Sequence, residues 1–149
     1  CEKDISKITR TGGGKGVYVL SENGWHYRFA RANKAKKGKV IDRISLNVYP
    51  EKELIDKLDK FITTSGINVE YKKPMHASSW LTRHDPITMY FREPLTKDME
   101  NEIIKIASPH IRKSDKEVLL GTKLAESIYK LKEPTKQDVE ALILVPFSL

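Results

Sequence analysis

Several short segments of the chain alternate apolar and polar residues with a period of two, which is typical of strands that bury one face. Residues 40–49 show this best: one face carries Val40, Ile44, Leu46 and Val48 with Asp42, and the other carries Ile41, Arg43, Ser45, Asn47 and Tyr49. The same period predicts strands at residues 17–20, 25–32, 67–72 and 87–92. Asn23 and Gly24, which separate the first two, favour a tight hairpin turn.

Longer segments repeat their apolar residues at helical spacing. The first predicted helix starts at Pro50 and Glu51 and stops at Gly66, and its stripe consists of Leu54, Ile55, Leu58, Phe61 and Ile62. The second follows Pro94 and Thr96 and ends at Pro109, and its stripe consists of Met99, Ile103, Ile106 and Ala107. A third helix is predicted from Thr135. Residues 117–125 are predicted as one strand or as two short strands around Gly121.

This order of elements predicts an α+β two-layer domain, with a mostly antiparallel sheet and two or three helices on one face. The opposite face is predicted to be polar and concave, and to carry Arg43, Ser45, Asn47, Glu70, Lys72, Thr88, Tyr90 and Arg28. We expect residues 17–149 to form this single domain. Residues 1–16 are polar and glycine-rich, which favours a flexible linker or an expression remnant.

The 149 residues carry a net charge of +7 and 39% hydrophobic residues, as in an ordinary globular domain with a basic surface. The charge favours an anionic partner, which we expect to be a phosphorylated protein or peptide, an acidic cognate inhibitor or a nucleic acid. No apolar run has the length of a membrane span. The four histidines lack zinc-like spacing, so no metal is predicted.

The single cysteine is Cys1, which excludes an internal disulfide. A first-position cysteine has three interpretations: the acylated, lipid-anchored residue of a mature lipoprotein, a remnant of expression, or the start of a domain excised from a longer protein. We favour an excised C-terminal domain.

Residues 72–86 gather donors, cations and titratable groups in what is predicted to be a polar loop between two strands: Lys72, Lys73, His76, Ser78, Ser79, Arg83, His84 and Asp85. Loops held by rigid strands often carry function. A second basic loop, residues 33–39, contains Lys36 and Lys37 and is either a solvated loop or a mobile clamp over an anion.

Four short motifs carry a family resemblance over residues 27–133: DRISLNVY at 42–49, VEYKK at 69–73, Arg83-x-Asp85 leading into ITMYF at 87–91, and LLGTKLAES at 119–127. With them the chain resembles the HopA effector domain of plant-pathogen type III secretion and the lyase partners of class V lanthipeptide synthesis. It is more loosely similar to the phosphothreonine lyase effectors. The resemblance implies a secreted virulence effector or toxin, delivered into a target cell, that removes phosphate from phosphoserine or phosphothreonine by β-elimination.

Such an elimination needs a base, an acid and several cations that hold the phosphate. Lys72 is the predicted base, with Lys73 the alternative if the strand register slips by one residue. The predicted phosphate ligands are Arg43, Arg83 and Arg28, with Lys36 and Lys37 in the basic loop. The lyase effectors have a histidine in the strand equivalent to 42–48, where this chain has none. His76 is therefore the favoured acid, before His26 and His84, and Tyr90 is expected to donate to the phosphate. No cofactor is needed.

Two other functions remain open. An ADP-ribosyltransferase-like toxin would use NAD to modify protein or RNA, and its residues would be Arg28, Ser78 with Ser79, and Glu100 with Glu102. A non-catalytic module would bind an anion or a protein through the basic loop.

Overall fold

The computed structural model describes residues 8–10, 16–33, 38–83, 85–113 and 121–132, and its strands form one eight-stranded sheet. The strands are β1 (Ile8–Arg10), β2 (Val17–Glu22), β3 (Trp25–Ala30), β4 (Asp42–Leu46), β5 (Val69–Pro74), β6 (Ile87–Phe91), β7 (Thr122–Ala125) and β8 (Ile128–Lys132). The helices are α1 (Lys52–Thr64), α2 (Ala77–Thr82) and α3 (Lys97–Ala107). Across the sheet the strand order is β1-β2-β3-β5-β6-β4-β8-β7, and all neighbours are antiparallel. The predicted α+β architecture is confirmed.

The hairpin between β2 and β3 turns through Asn23 and Gly24, as predicted. Both residues have positive φ angles, 51° and 83°. A two-residue turn with two positive φ angles matches the twist of the strands it joins, and Asn and Gly are the residues that adopt it most easily. The turn fixes the β2–β3 register, in which Glu22 faces Trp25.

Helices α1 and α3 lie on one face of the sheet and enclose the core. Four of the five residues in the predicted apolar stripe of α1 are buried, and the fifth, Ile55, is partly buried against the core. Leu58, Ile44 and Leu46 join the same core cluster. Gly66, with φ at 75°, follows the end of α1 and allows the left-handed turn that stops it. At the start of α3, the Thr96 hydroxyl accepts a 3.2 Å hydrogen bond from the Met99 amide. These helices cover one side of the sheet and leave the other for polar residues.

Strand β4 is an interior strand of the sheet and lies between β6 and β8. It is shorter than the predicted 40–49 strand, because the chain leaves the ladder after Leu46 and then makes a single bridge between Val48 and Ile111. The predicted faces of this strand are correct: Ile44 and Leu46 have no exposed surface and contribute to the core.

The segment predicted as a polar loop contains a helix, α2, so that prediction is wrong for residues 77–82. Trp80 organises this helix: its side chain is buried in the core, and its indole Nε1 donates a 2.8 Å hydrogen bond to the Val48 carbonyl. One buried aromatic residue with a satisfied N–H is enough to anchor a short helical turn.

Two further strands depart from the predictions. Within the segment expected to be a linker, Ile8–Arg10 pairs with β2, so the linker interpretation is wrong for these three residues. At the other end, β7 and β8 form a hairpin, and β8 was not predicted although Ile128 and Lys130 alternate with Tyr129 and Leu131. The predictions for the helix from Thr135, for the terminal segment and for most of the basic loop lie outside the described residues.

None of the described helices combines the length and the apolar character that a membrane crossing requires.

Candidate anion-binding site

A row of polar side chains crosses the face of the sheet that α1 and α3 leave uncovered. Strand register aligns one residue from each of five strands: Tyr27, Lys72, Thr88, Ser45 and Tyr129. Thr88 and Ser45 are buried in the middle of this row, while Tyr27, Lys72 and Tyr129 are partly exposed. Two hydroxyl groups therefore form the floor of the face, and a lysine stands beside them.

Above this floor, cations and aromatic rings alternate in a group that we call the cation–aromatic cluster. It consists of Arg83, Trp25, Lys72, Tyr90 and Arg43. The Lys72 Nζ lies 4.1 Å from the centroid of the Trp25 ring and 5.8 Å from that of Tyr90. The Arg83 Cζ lies 4.4 Å from the Trp25 centroid, and the Arg43 Cζ lies 5.2 Å from the Tyr90 centroid. The rings thus hold three cations close together by cation–π contacts.

Pairing across the sheet explains most of this cluster. Arg43 in β4 faces Tyr90 in β6, and Lys72 in β5 faces Tyr27, so Trp25 lies on the same face two residues earlier in β3. Arg83 follows the end of α2, and its carbonyl accepts a 2.6 Å hydrogen bond from the Arg112 guanidinium. That bond ties the Arg83 backbone to the segment that follows α3.

The electrostatics of the cluster favour an anion and lower the pKa of Lys72. Burial lowers the pKa of Lys72, the charges of Arg83 and Arg43 lower it further, and Asp85 opposes them. Asp85 lies 3.6 Å from Arg83, and both side chains are almost half exposed. Asp85 is thus a solvated carboxylate beside the Arg83 end of the cluster. A lysine in such surroundings gives up its proton more easily than an exposed one.

A second ion pair lies on the same face, next to the cluster. Glu70 pairs with Arg92, and both side chains are more than nine-tenths buried. Arg92 also donates a 3.0 Å hydrogen bond to the Gly38 carbonyl, which ties the chain at the end of the basic loop to this side of the sheet. Glu70 is on the predicted face, but its charge is neutralised by Arg92 and does not oppose an anion at Lys72.

Arg28 was predicted as a phosphate ligand on the polar face, and the structure corrects this. Its guanidinium points towards α1 and forms two hydrogen bonds with the Asp59 carboxylate, of 3.0 and 2.6 Å. Tyr71, its neighbour across the β3–β5 pair, also donates to Asp59. Asp59 lies in the buried stripe of α1, and a buried carboxylate requires a cation and hydrogen-bond donors. Arg28 meets that requirement.

Among the described residues, the two candidate acids His26 and His76 are not seen in contact with Lys72. His26 lies on the helix-bearing face of the sheet, and its Nδ1 is 3.5 Å from the Nζ of Lys73. His76 is exposed just before α2, and its charge acts on His26. His76 thus interacts electrostatically with His26, which lies on the opposite face of the sheet from Lys72. Lys73, the alternative base, also lies on the opposite face from Lys72. His84, Lys36 and Lys37 are outside the described residues.

The residues expected of a transferase are not brought together. Arg28 lies in β3, whereas Glu100 accepts a 3.0 Å hydrogen bond from Lys130 in β8. Four strand spacings separate β3 from β8 in the sheet order, or about 19 Å. Ser78 and Ser79 are exposed on α2, and Glu102 is exposed on α3.

Sequence reasoning missed three aromatic residues of this face, namely Trp25, Tyr27 and Tyr129. The alternation in β3 placed Trp25 and Tyr27 together, but it does not say which neighbouring strand they meet. The β3–β5 register supplies that information, because it sets Tyr27 beside Lys72.

Within the described parts of the chain, no group of three or more His, Cys, Asp and Glu residues is placed to hold a metal ion. No protein-family model matches the chain, and the comparison with curated proteins gives no match. The resemblance to HopA-type and phosphothreonine lyase effectors therefore stays a prediction.

Proposed function

We propose that the cation–aromatic cluster binds the phosphate of a phosphorylated serine or threonine residue, and that Lys72 starts a β-elimination there. The observation that carries the proposal is the position of the Lys72 Nζ, between the rings of Trp25 and Tyr90 and close to two arginines. Two arginines provide bidentate donors for phosphate oxygens. A half-buried lysine between them is a suitable base.

The proposed reaction has four changes in bonding. Lys72, as the neutral amine, takes the proton from Cα of the phosphorylated residue. The electron pair of that C–H bond becomes the second bond between Cα and Cβ, and the Cβ–O bond breaks. Phosphate leaves with the bonding pair, and a donor on the protein protonates it. The products are a dehydrated residue and free phosphate.

Tyr90 is the best-placed donor for the leaving phosphate, in place of His76. It lies in the cluster, opposite Arg43 in the β4–β6 pair. The buried hydroxyls of Thr88 and Ser45 can donate to further phosphate oxygens from the floor of the face. Donors that are already oriented before the reaction cost no reorganisation when charge develops.

The proposed biological setting rests on the family resemblance and on the net charge of the chain. The resemblance to effector domains supports delivery into a target cell, where phosphorylated proteins are the substrates. A net charge of +7 also suits an acidic inhibitor that covers the same face before delivery.

The decisive experiment compares lysine variants on a panel of phosphoserine and phosphothreonine peptides. Lys72→Arg keeps the charge, but its guanidinium stays protonated, so turnover should fall by on the order of a hundredfold or more with binding retained. Arg43→Ala and Arg83→Ala should weaken binding and turnover together. Lys52→Arg is the matched control, because the Lys52 side chain is 90% exposed on α1. Mass spectrometry would detect loss of phosphoric acid from the peptide.

The alternatives give different results in the same experiment. Turnover that survives in Lys72→Arg and is lost in Lys73→Arg would place the reaction on the opposite face. Phosphopeptide binding that depends on Arg43 and Arg83 without any dehydrated product would identify a non-catalytic module. An ADP-ribose adduct in the presence of NAD would establish the transferase alternative instead.

A further inference from the structure

Lys72 and Lys73 are consecutive in β5, so their side chains point to opposite faces of the sheet. Lys73 faces the side that carries α1, where its Nζ lies 3.5 Å from Nδ1 of His26. The two residues are direct partners in the β3–β5 ladder, and both are partly buried. The contact is therefore fixed by strand pairing and not by two long side chains meeting at the surface.

The charges around Lys73 leave its ammonium group poorly neutralised. The nearest carboxylate on α1, Asp59, already accepts two hydrogen bonds from Arg28 and one from Tyr71. Among the described residues, no carboxylate forms an ion pair with Lys73. Lysines elsewhere in the described parts of the chain do form such pairs, namely Lys52, Lys57, Lys97, Lys123 and Lys130.

The pKa values of both members of the pair are lowered. Burial lowers the pKa of Lys73, and the charge of Arg28 lowers it further, against the opposing effect of Asp59. Burial also lowers the pKa of His26, as do the charges of Lys73, Arg28 and His76. At neutral pH the His26 ring is therefore uncharged, and with its proton on Nε2 it can accept one at Nδ1.

We propose that Lys73 is a nucleophilic amine that forms imines with small aldehydes or ketones, with His26 as its proton acceptor. The site is on the opposite face of the sheet from the cation–aromatic cluster, so the proposal does not depend on the elimination reaction. Lysines that form imines in proteins require a neutral amine, which desolvation and a neighbouring cation provide.

The chemistry balances without an oxidant or reductant. His26 Nδ1 takes a proton from the Lys73 ammonium, and the freed electron pair on Nζ attacks the carbonyl carbon. A second proton passes from Nζ to the carbonyl oxygen, and His26 returns the first proton to the same oxygen, which leaves as water while the electron pair on Nζ forms the C–N double bond. The products are the protonated imine, one molecule of water and neutral His26.

The test uses the full chain at pH 7 with propanal, and traps the imine with cyanoborohydride. Propanal is neutral, so the cations of the other face do not concentrate it. Peptide mapping by mass spectrometry then gives the rate of propylation at each lysine. Lys73 should react several-fold faster than the exposed Lys52, and its rate should level off at a lower pH. Equal rates at Lys73 and Lys52 would overturn the proposal without any variant.

The role of His26 is tested by His26→Asn, with His76→Asn as the matched control. His26→Asn should slow propylation of Lys73 by about tenfold or more, within the range of general base catalysis. It should leave the rate at Lys72 unchanged, which also shows that the sheet is intact. His76→Asn should have little effect on the propylation rate of Lys73, because the side chain in contact with the Lys73 Nζ is His26. An unchanged rate at Lys73 in a folded His26→Asn protein would rule out the pair.

Discussion

Replacing Asp59 with alanine tests the buried network beneath α1 directly. Asp59 is 3% exposed, lies in the middle of the buried stripe of α1, and receives three hydrogen bonds from Arg28 and Tyr71. Its removal leaves the guanidinium of Arg28 buried without a counter-charge. Removing one partner of a buried ion pair destabilises a protein by about 3–5 kcal/mol.

That loss is large for a domain of this size. Natural domains are stable by about 5–15 kcal/mol, so Asp59→Ala would remove a substantial part of the free energy of unfolding. In a chain of this length each kcal/mol lowers the melting temperature by about 2–4 °C. The expected fall in melting temperature is therefore about 6–20 °C, from the products of these two ranges.

Urea unfolding followed by circular dichroism gives the free energy, and thermal unfolding gives the melting temperature. The double variant Arg28→Met with Asp59→Leu removes both charges, so it should recover part of the stability that Asp59→Ala loses, while the buried Tyr71 hydroxyl still lacks its acceptor. Lys57→Ala breaks an exposed ion pair on the same helix and should change stability far less. A loss below about 1 kcal/mol for Asp59→Ala would contradict the buried network of Arg28, Tyr71 and Asp59, because so small a loss is expected only if the Arg28 guanidinium is solvated.

Three further predictions follow from the same structure. Leu46→Ala and Leu58→Ala should each lower the free energy of unfolding in urea by about 2–5 kcal/mol, because both side chains are fully buried in one core cluster. A loss below about 0.5 kcal/mol at both positions would mean that β4 and α1 do not pack together. Burial raises the pKa of Tyr71 well above its ordinary value, so the unfolded chain loses this proton first and stability should fall as the pH rises above about 10. Tyr71→Phe should flatten that alkaline fall in urea midpoints. The charge of Asp85 raises the pKa of Lys72, so Asp85→Asn should lower the pKa of Lys72 and move the pH–rate profile of elimination to lower pH. The same substitution should tighten phosphate binding, which calorimetry measures. An unchanged profile in a variant that binds phosphate more tightly would separate Lys72 from the base role.

Local sequence patterns predicted the sheet faces well. Alternation in residues 40–49 placed Arg43 opposite the core face, and four of the five residues in the predicted α1 stripe are buried, with Ile55 partly buried. Alternation divides the residues of each strand into two faces, but it does not say which of the two faces lies on the helix-bearing side of the sheet. Arg28 was assigned to the wrong side for this reason. The buried Asp59 on α1 was the signal that could have corrected it.

Features that depend on distant residues could not be predicted from short segments. The helix α2 depends on Trp80, whose hydrogen-bond acceptor is the carbonyl of Val48 in another part of the chain. The strand β8 depends on pairing with β4, more than 80 positions earlier. Such contacts are set by the whole fold and leave a weak pattern in the local sequence.

The position of β4 in the sheet has a consequence for synthesis on the ribosome. Strands β2 and β3 pair with each other as soon as their turn is made, whereas both neighbours of β4 come later in the chain. Its first partner, β6, is complete only at Phe91, and its second, β8, only at Lys132. During translation β4 therefore emerges with both edges unpaired, and contacts of such long sequence separation form slowly. This interior strand of the native sheet is thus one of the last to complete its hydrogen bonds, and nascent chains that stop before β8 keep one of its edges open.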